Sequence, residues 1–296
     1  MGAQPFLRAV ITGVGCVSPF GVGGHALMAD ILRAQVSAIR PLTGFSSAGL
    51  PSCLGAQVPE GFLPVTDEAR RWSRLSHMTV LACREALANA RVCSAELLEP
   101  VGLVIGSGFG DLRSTEAFSV GFLRKGPVGL SPLLFPNTVM NAMAGSTSIA
   151  LRLQGPMLTL NQPDVAGELA IVRALALLQA GRASVVLACG VDEIFPLLYE
   201  TLAEFQVLSP RGHGDEACRP FDTRHNGPVL GEGATAVVLE APAHARARGA
   251  PILAEIRAAG WGSMPARLGY YPRWHEGQQQ VLRQAIKAAA GRLAEV

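Results

Sequence analysis

Apolar residues along the chain alternate between two spacings. Short unbroken β-branched runs, Arg8 to Cys16 (RAVITGVGC), Val101 to Ser107 (VGLVIGS), Pro156 to Asn161, Ala183 to Cys189 (ASVVLAC) and Ala234 to Glu240 (ATAVVLE), read as buried strands. Between them the apolar positions shift to helical spacing. Ser73 to Ala90 places Leu75, Met78, Leu81, Ala82, Ala86 and Leu87 on one stripe, and Val165 to Ala180 is a second such run. Helices are also predicted over His25 to Arg33, Asn141 to Leu153 and Val281 to Leu293, and a further strand over Ile252 to Ala259. Pro41 to Pro64 is rich in Gly, Pro and Ser and predicts a loop or short hairpin. Strands alternating with helices of this length imply one α/β domain, a mostly parallel sheet with helices on both faces.

Composition adds limits. The chain has 296 residues, is 49% hydrophobic and carries a net charge of +2, with no basic block that asks for nucleic acid or an acidic lipid surface. No run reaches the roughly 18 apolar residues that span a bilayer. Met1 to Val10 lacks the pattern of a secretory signal. Six isolated cysteines without CxxC pairs predict neither a zinc site nor a disulfide framework, and suit reduced thiols in the cytoplasm.

The candidate chemistry is sparse. Gly106-Ser107-Gly108-Phe109-Gly110 follows a strand but lacks dinucleotide spacing, and there is no GxxxxGK[ST] loop, so a tight strand-to-helix turn is expected and no cofactor. The stretch Gly155 to Ala170 (GPMLTLNQPDVAGELA) predicts an elbow, a strand giving way abruptly to a helix whose N-terminus favours negative charge. Asp164 sits on the bend and is expected to cap that helix; a carboxylate there is a poor acyl nucleophile. Glu232, between two glycines, suits either an acid–base group or a tie that accepts backbone or Arg hydrogen bonds, and the tie is favoured. The six histidines (His25, His77, His213, His225, His244 and His275) form no recognisable pair, and a structural or exposed place is expected for each.

These motifs in this order resemble the elongating β-ketoacyl-acyl carrier protein synthases of the thiolase superfamily, including polyketide ketosynthase domains. Arg8 to Gly21 is similar to the family's opening strand and turn. Ser131 to Gly145 (SPLLFPNTVMNAMAG) is similar to the segment lining the acyl pocket and subunit interface. RPFD at 219–222 and GEG at 231–233 resemble the signature closing its first half, and AHARARGA at 243–250 the helix that follows. The resemblance implies a thiolase-like βαβαβαββ repeat with a five-stranded mixed sheet over residues 1–250, and the start of a second repeat over 251–296. It also implies that Asp164 stands where the family carries its acyl-accepting Cys, leaving no supported catalytic residue. Two family histidine turns are not found before Val296, and His225-Asn226 replaces the usual Arg-Asp.

The implied function is a non-condensing ketosynthase-like subunit, similar to chain-length factors. Its expected partners are a ketosynthase-type chain in a homo- or hetero-oligomer and acyl carrier protein. The alternative is a vestigial half-domain, or an enzyme of another class using Asp164 or Glu232 as a base.

Overall fold

The computed structural model describes residues 8–63, 66–212, 216–263 and 275–289. Its main sheet has seven strands: β1 (Ala9–Ser18), β2 (Gly21–Gly23), β5 (Gly102–Ser107), β6 (Met157–Asn161), β7 (Val185–Asp192), β9 (Gly233–Glu240) and β10 (Ala254–Ile256), with order β10-β1-β9-β7-β5-β6 and β2 hairpinned onto β1. The five strands expected from the apolar runs lie side by side within it. β5 runs parallel to both β6 and β7, while β9 is antiparallel to β7 and to β1, so the sheet is mixed.

One expectation is corrected. Among the described residues the sheet has seven strands rather than five: Gly21, at φ +143°, lets β2 fold back on the end of β1, and the short β10 joins the start of β1. β10 is the strand expected over Ile252 to Ala259, and it pairs Ala9 against Ile256 and Ile11 against Ala254. That stretch of β1 has an edge left free by β2, and unpaired strand groups there need partners.

Alternation along the central strands feeds two cores. Leu103, Ile105, Leu187, Cys189, Ala236 and Val238 face α2 (Arg74–Asn89) and α5 (Ala142–Leu151). Val104, Val186, Ala188 and Leu239 face α6 (Ala166–Gln179), against Ala170, Ala174, Leu175 and Leu178. α2 starts at a Ser73 cap that accepts from the Ser76 N–H, and it lies so close to β1 that a Cβ on Gly15 would meet the Ala82 carbonyl at 2.1 Å. α1 (His25–Ala34) follows β2 and has no buried residue.

The loop predicted over 41–64 holds the hairpin β3 (Arg40–Pro41) and β4 (Leu54–Ala56). β4 also pairs in parallel with β8 (Leu230–Gly231), making a small three-stranded sheet. Besides the short α3 (Ala95–Leu98), two helices lie outside the sequence reading, α4 (Leu112–Lys125) and α7 (Pro196–Glu204). α8 (Pro242–Ala247) and α9 (His275–Ala288) complete the order. The last predicted helix thus starts six residues earlier than expected, and positions 290–293 lie outside the described residues.

Candidate functional site

The parallel strands β5, β6 and β7 end at the same level, where ligand crevices of open α/β sheets form. β6 stops at Asn161, the chain turns through Gln162 to Val165, and α6 begins at Ala166. Asn161 Nδ2 donates to the carbonyls of Ser107 (3.1 Å) and Gly108 (3.2 Å), and the Gln162 N–H to Ser107 O at 3.2 Å. The elbow is therefore pinned to the end of β5. Glycines let the helix start press onto the sheet: a Cβ on Gly190 of β7 would stand 3.1 Å from Gly167 Cα.

Beside the elbow is a cleft of about 410 Å³. Its walls are the elbow itself, the end of β1 at Val17 and Ser18, the end of β7 from Gly190 to Asp192, and the run from Gly231 to Thr235. The structure thus brings Asp164 and Glu232, some 70 positions apart in sequence, to one cavity. They differ in engagement. Asp164 is exposed and, among the described residues, has no side-chain hydrogen-bond partner. The expected cap is not formed: α6 starts at Ala166, so the capping position falls on Val165, which carries no acceptor. Glu232 is buried and fully used. It accepts from the N–H groups of Val58 (2.7 Å) and Ile194 (3.0 Å) and from Arg74 Nη2 (2.6 Å), so it ties three loops together and the tie reading holds.

Two acids not singled out in the sequence matter here. Asp192, the last residue of β7, accepts from Ser107 Oγ (2.9 Å) and from the N–H groups of Gly108 (3.0 Å) and Phe109 (3.3 Å). The glycine turn after β5 is thus an anion-holding turn already filled by a side chain of the same protein. Glu193 beside it is buried and pairs with Arg113 Nε at 3.0 Å. Burial raises the Glu193 carboxyl to about 7, with Asp111 and Glu232 adding to the rise and Arg113 opposing it.

Among the described residues no cysteine and no histidine lines the cleft. Cys189 is on the opposite side of β7, buried against α2. His77 and His225 bond backbone carbonyls, Ala69 O at 2.8 Å and Asp222 O at 2.8 Å, while His244 binds Glu240. His213 lies outside the described residues. Among the described residues there is no group of metal-ligating side chains, and no helix is long and apolar enough to cross a membrane.

Residues 8–245 match the family described as "Beta-ketoacyl synthase, N-terminal domain". The chain belongs to that family. It is 33% identical over 307 residues to 3-oxoacyl-[acyl-carrier-protein] synthase 2 of Rhizobium meliloti (strain 1021), covering 98% of this chain and 72% of the relative. Among solved structures it is similar to a β-ketoacyl synthase from Burkholderia phymatum STM815, with TM-score 0.85, 27% identity, and 96% of this chain and 71% of that one covered. It is also similar to the ishigamide ketosynthase/chain length factor, with TM-score 0.85 and 25% identity over 98% of this chain and 72% of that chain. The chain spans 61% to 72% of the length of the first curated relatives it matches. Within the β-ketoacyl synthase fold, then, the elbow described above is the place to ask what chemistry the chain supports. An aspartate stands on it.

Proposed function

We propose that this chain is a non-condensing ketosynthase homologue that serves as a partner subunit of a ketosynthase-type chain in fatty acid, polyketide or aryl-polyene synthesis, in the cytoplasm. The observation that carries it is the exposed Asp164 on an otherwise well-packed elbow, where the family resemblance puts a thiol. Condensation needs a nucleophile that holds the acyl chain as a thioester, and donors that stabilise the charge formed on decarboxylation. Asp164 offers a weakly nucleophilic carboxylate, and no described histidine faces the cleft. The likeness to a ketosynthase/chain length factor structure supports a partner role. So does a broad exposed apolar surface, with Leu123, Val128, Leu133 and Ile149 each more than 70% exposed. Acyl carrier protein enters this reading as the carrier of the chain the pair would extend. The base reading loses one of its two residues, because every oxygen of Glu232 is already held.

Intact-mass spectrometry tests the reading. Purified chain incubated with acyl- and malonyl-carrier-protein is expected to show no acyl adduct and no β-ketoacyl product. Asp164→Cys is expected to gain the adduct, since a thiol at that helix start is accessible and partly ionised, and still to form no product. A β-ketoacyl product from the unmodified chain alone would overturn the proposal.

A further inference from the structure

We propose that the Glu193–Arg113 pair is a proton-held latch between the end of β7 and the first turn of α4, closed while Glu193 is neutral and loosened when it ionises. The geometry is unbalanced in a way that favours the neutral acid. The Glu193 side chain is 1% exposed, and among the described residues only one of its oxygens has a donor, Arg113 Nε at 3.0 Å. The other oxygen, Oε1, is buried with no partner among the described residues. A buried carboxylate usually needs donors on both oxygens, and leaving one bare penalises the charged form most.

The surrounding charges point the same way. From the start of α4 come Arg113 and Asp111, the latter committed to the Ser114 N–H (2.8 Å) and Ser114 Oγ (2.9 Å). From the run before β9 comes Glu232, with Arg74 of α2 bound to it. From the last residue of β7, just before it, comes Asp192, committed to the glycine turn. Arg113 is the cation in direct contact with Glu193, and it is 47% exposed, so water screens much of its attraction. An ionised Glu193 would be opposed by the carboxylates of Asp111 and Glu232. The raised carboxyl described above agrees with this layout.

The latch joins consequential parts. Arg113 also donates from Nη2 to Ile194 O at 3.0 Å, so two bonds from one side chain hold α4 to the segment after β7. Farther along α4, Gly121 packs on Gly129 and Phe118 on Phe135, which positions the exposed apolar stretch after the helix. The direction follows from linkage: a carboxyl that binds its proton more tightly in the closed junction than in water makes closure strongest in acid. Closure then weakens as pH rises toward the closed-state pKa, and levels off above it.

Hydrogen-exchange mass spectrometry of the full chain, read on fragments covering residues 111–118 and corrected with the unfolded chain, tests this. Between about pH 5 and about pH 8, protection in the unmodified protein is expected to fall roughly tenfold or more. Glu193→Gln, a neutral isostere, is expected to keep the acid-side protection at both pH values. Arg113→Gln changes a half-exposed residue and guards against failure of the first variant to fold; its protection should level off at a higher pH. Equal protection of the unmodified chain at both pH values would overturn the latch. So would an unaltered pH dependence in Glu193→Gln, or an unmoved levelling point in Arg113→Gln.

Discussion

Gly106 of β5 and Ala166 of α6 approach so closely that a Cβ on the glycine would lie 2.0 Å from the Ala166 carbonyl oxygen. The three nearest atoms, Ala166 O and C and Gly167 N, are all backbone, so none can swing away as a flexible side chain would. Gly106→Ala is expected to push the elbow off the sheet and destabilise the fold by about 3 kcal/mol, the scale of a forced overpacking. Chemical denaturation of the variant against the parent checks it. Gly145→Ala on α5, where nothing lies within 4 Å, is the control that should not destabilise, and should gain about 0.5–1 kcal/mol from helix propensity.

Glu240 should be among the least replaceable carboxylates. It is fully buried and accepts from Thr12, from His244 Nδ1 (2.8 Å) and from Arg248, which also donates to the Ala90 carbonyl at 2.8 Å. The group joins β1, β9, α8 and the end of α2. Glu240→Ala would strand the Arg248 charge with 13% of its side chain exposed, at a cost of about 4 kcal/mol. Thermal unfolding measures the loss.

The two buried acids give stability opposite slopes with pH. Burial alone would raise Glu240, but the bonds from Arg248, Thr12 and His244 outweigh it and hold the carboxyl below its usual value. Its contribution is therefore present above the usual Glu pKa and is lost as pH falls through the lowered one. Glu193, raised to about 7, does the reverse, with a contribution of roughly 3 kcal/mol present in acid and lost between about pH 4.5 and 7. Melting curves across that range should show a decline in the parent that flattens in Glu193→Gln. A decline of the same size in both proteins would refute the assignment.

β6 should be an association edge. It pairs with β5 alone among the described strands, and adjacent residues Met157 (45%) and Leu158 (41%) at its start are both substantially exposed, so both faces of that end are open. Such an edge templates pairing with another chain. Light scattering of the purified chain is expected to report a dimer or larger species. Leu158→Lys should weaken association by about tenfold or more, since a charge at a buried edge costs over ~1.4 kcal/mol. A stable monodisperse monomer at high concentration would count against this edge.

Glu232→Gln separates tie from base. The amide keeps the shape but cannot accept equally at both ends, so stability is expected to drop by about 2 kcal/mol. Acylation of an Asp164→Cys background should persist at temperatures where the double variant is folded. Loss of acylation in the folded double variant would revive a catalytic role for Glu232.

How far the sequence carried the fold depended on where each element found its partners. The runs at 101–107 and 183–189 are apolar on both faces because both faces are covered, and they announced themselves as strands. α4 did not, since Ser114 is its only buried residue and its apolar side chains Phe122 and Leu123 face outward rather than a core. α7 starts with Pro196 at its first turn and buries Tyr199 and Ala203, a start signal that was present although no helix was predicted there. The elbow was legible because a strand run met Pro163-Asp164 and then a helical stripe. Asp192 and Glu193 were not, because their partners Ser107 and Arg113 stand 85 and 80 positions away, a distance no local spacing rule crosses.

That same separation sets a timetable for the nascent chain. β1 finds its neighbour β9 only late, with Thr12 and Glu240 lying 228 positions apart. At ~5–20 residues per second, a ribosome needs about 10–50 s to supply the second strand after making the first. For that interval the VITGVGCV segment has only the short β2 hairpin at its far end as a partner, and its later companion α2 has a half-built surface to rest on. Chaperone capture of short nascent chains, and aggregation when translation stalls before β9 emerges, are the outcomes this strand order leads one to expect.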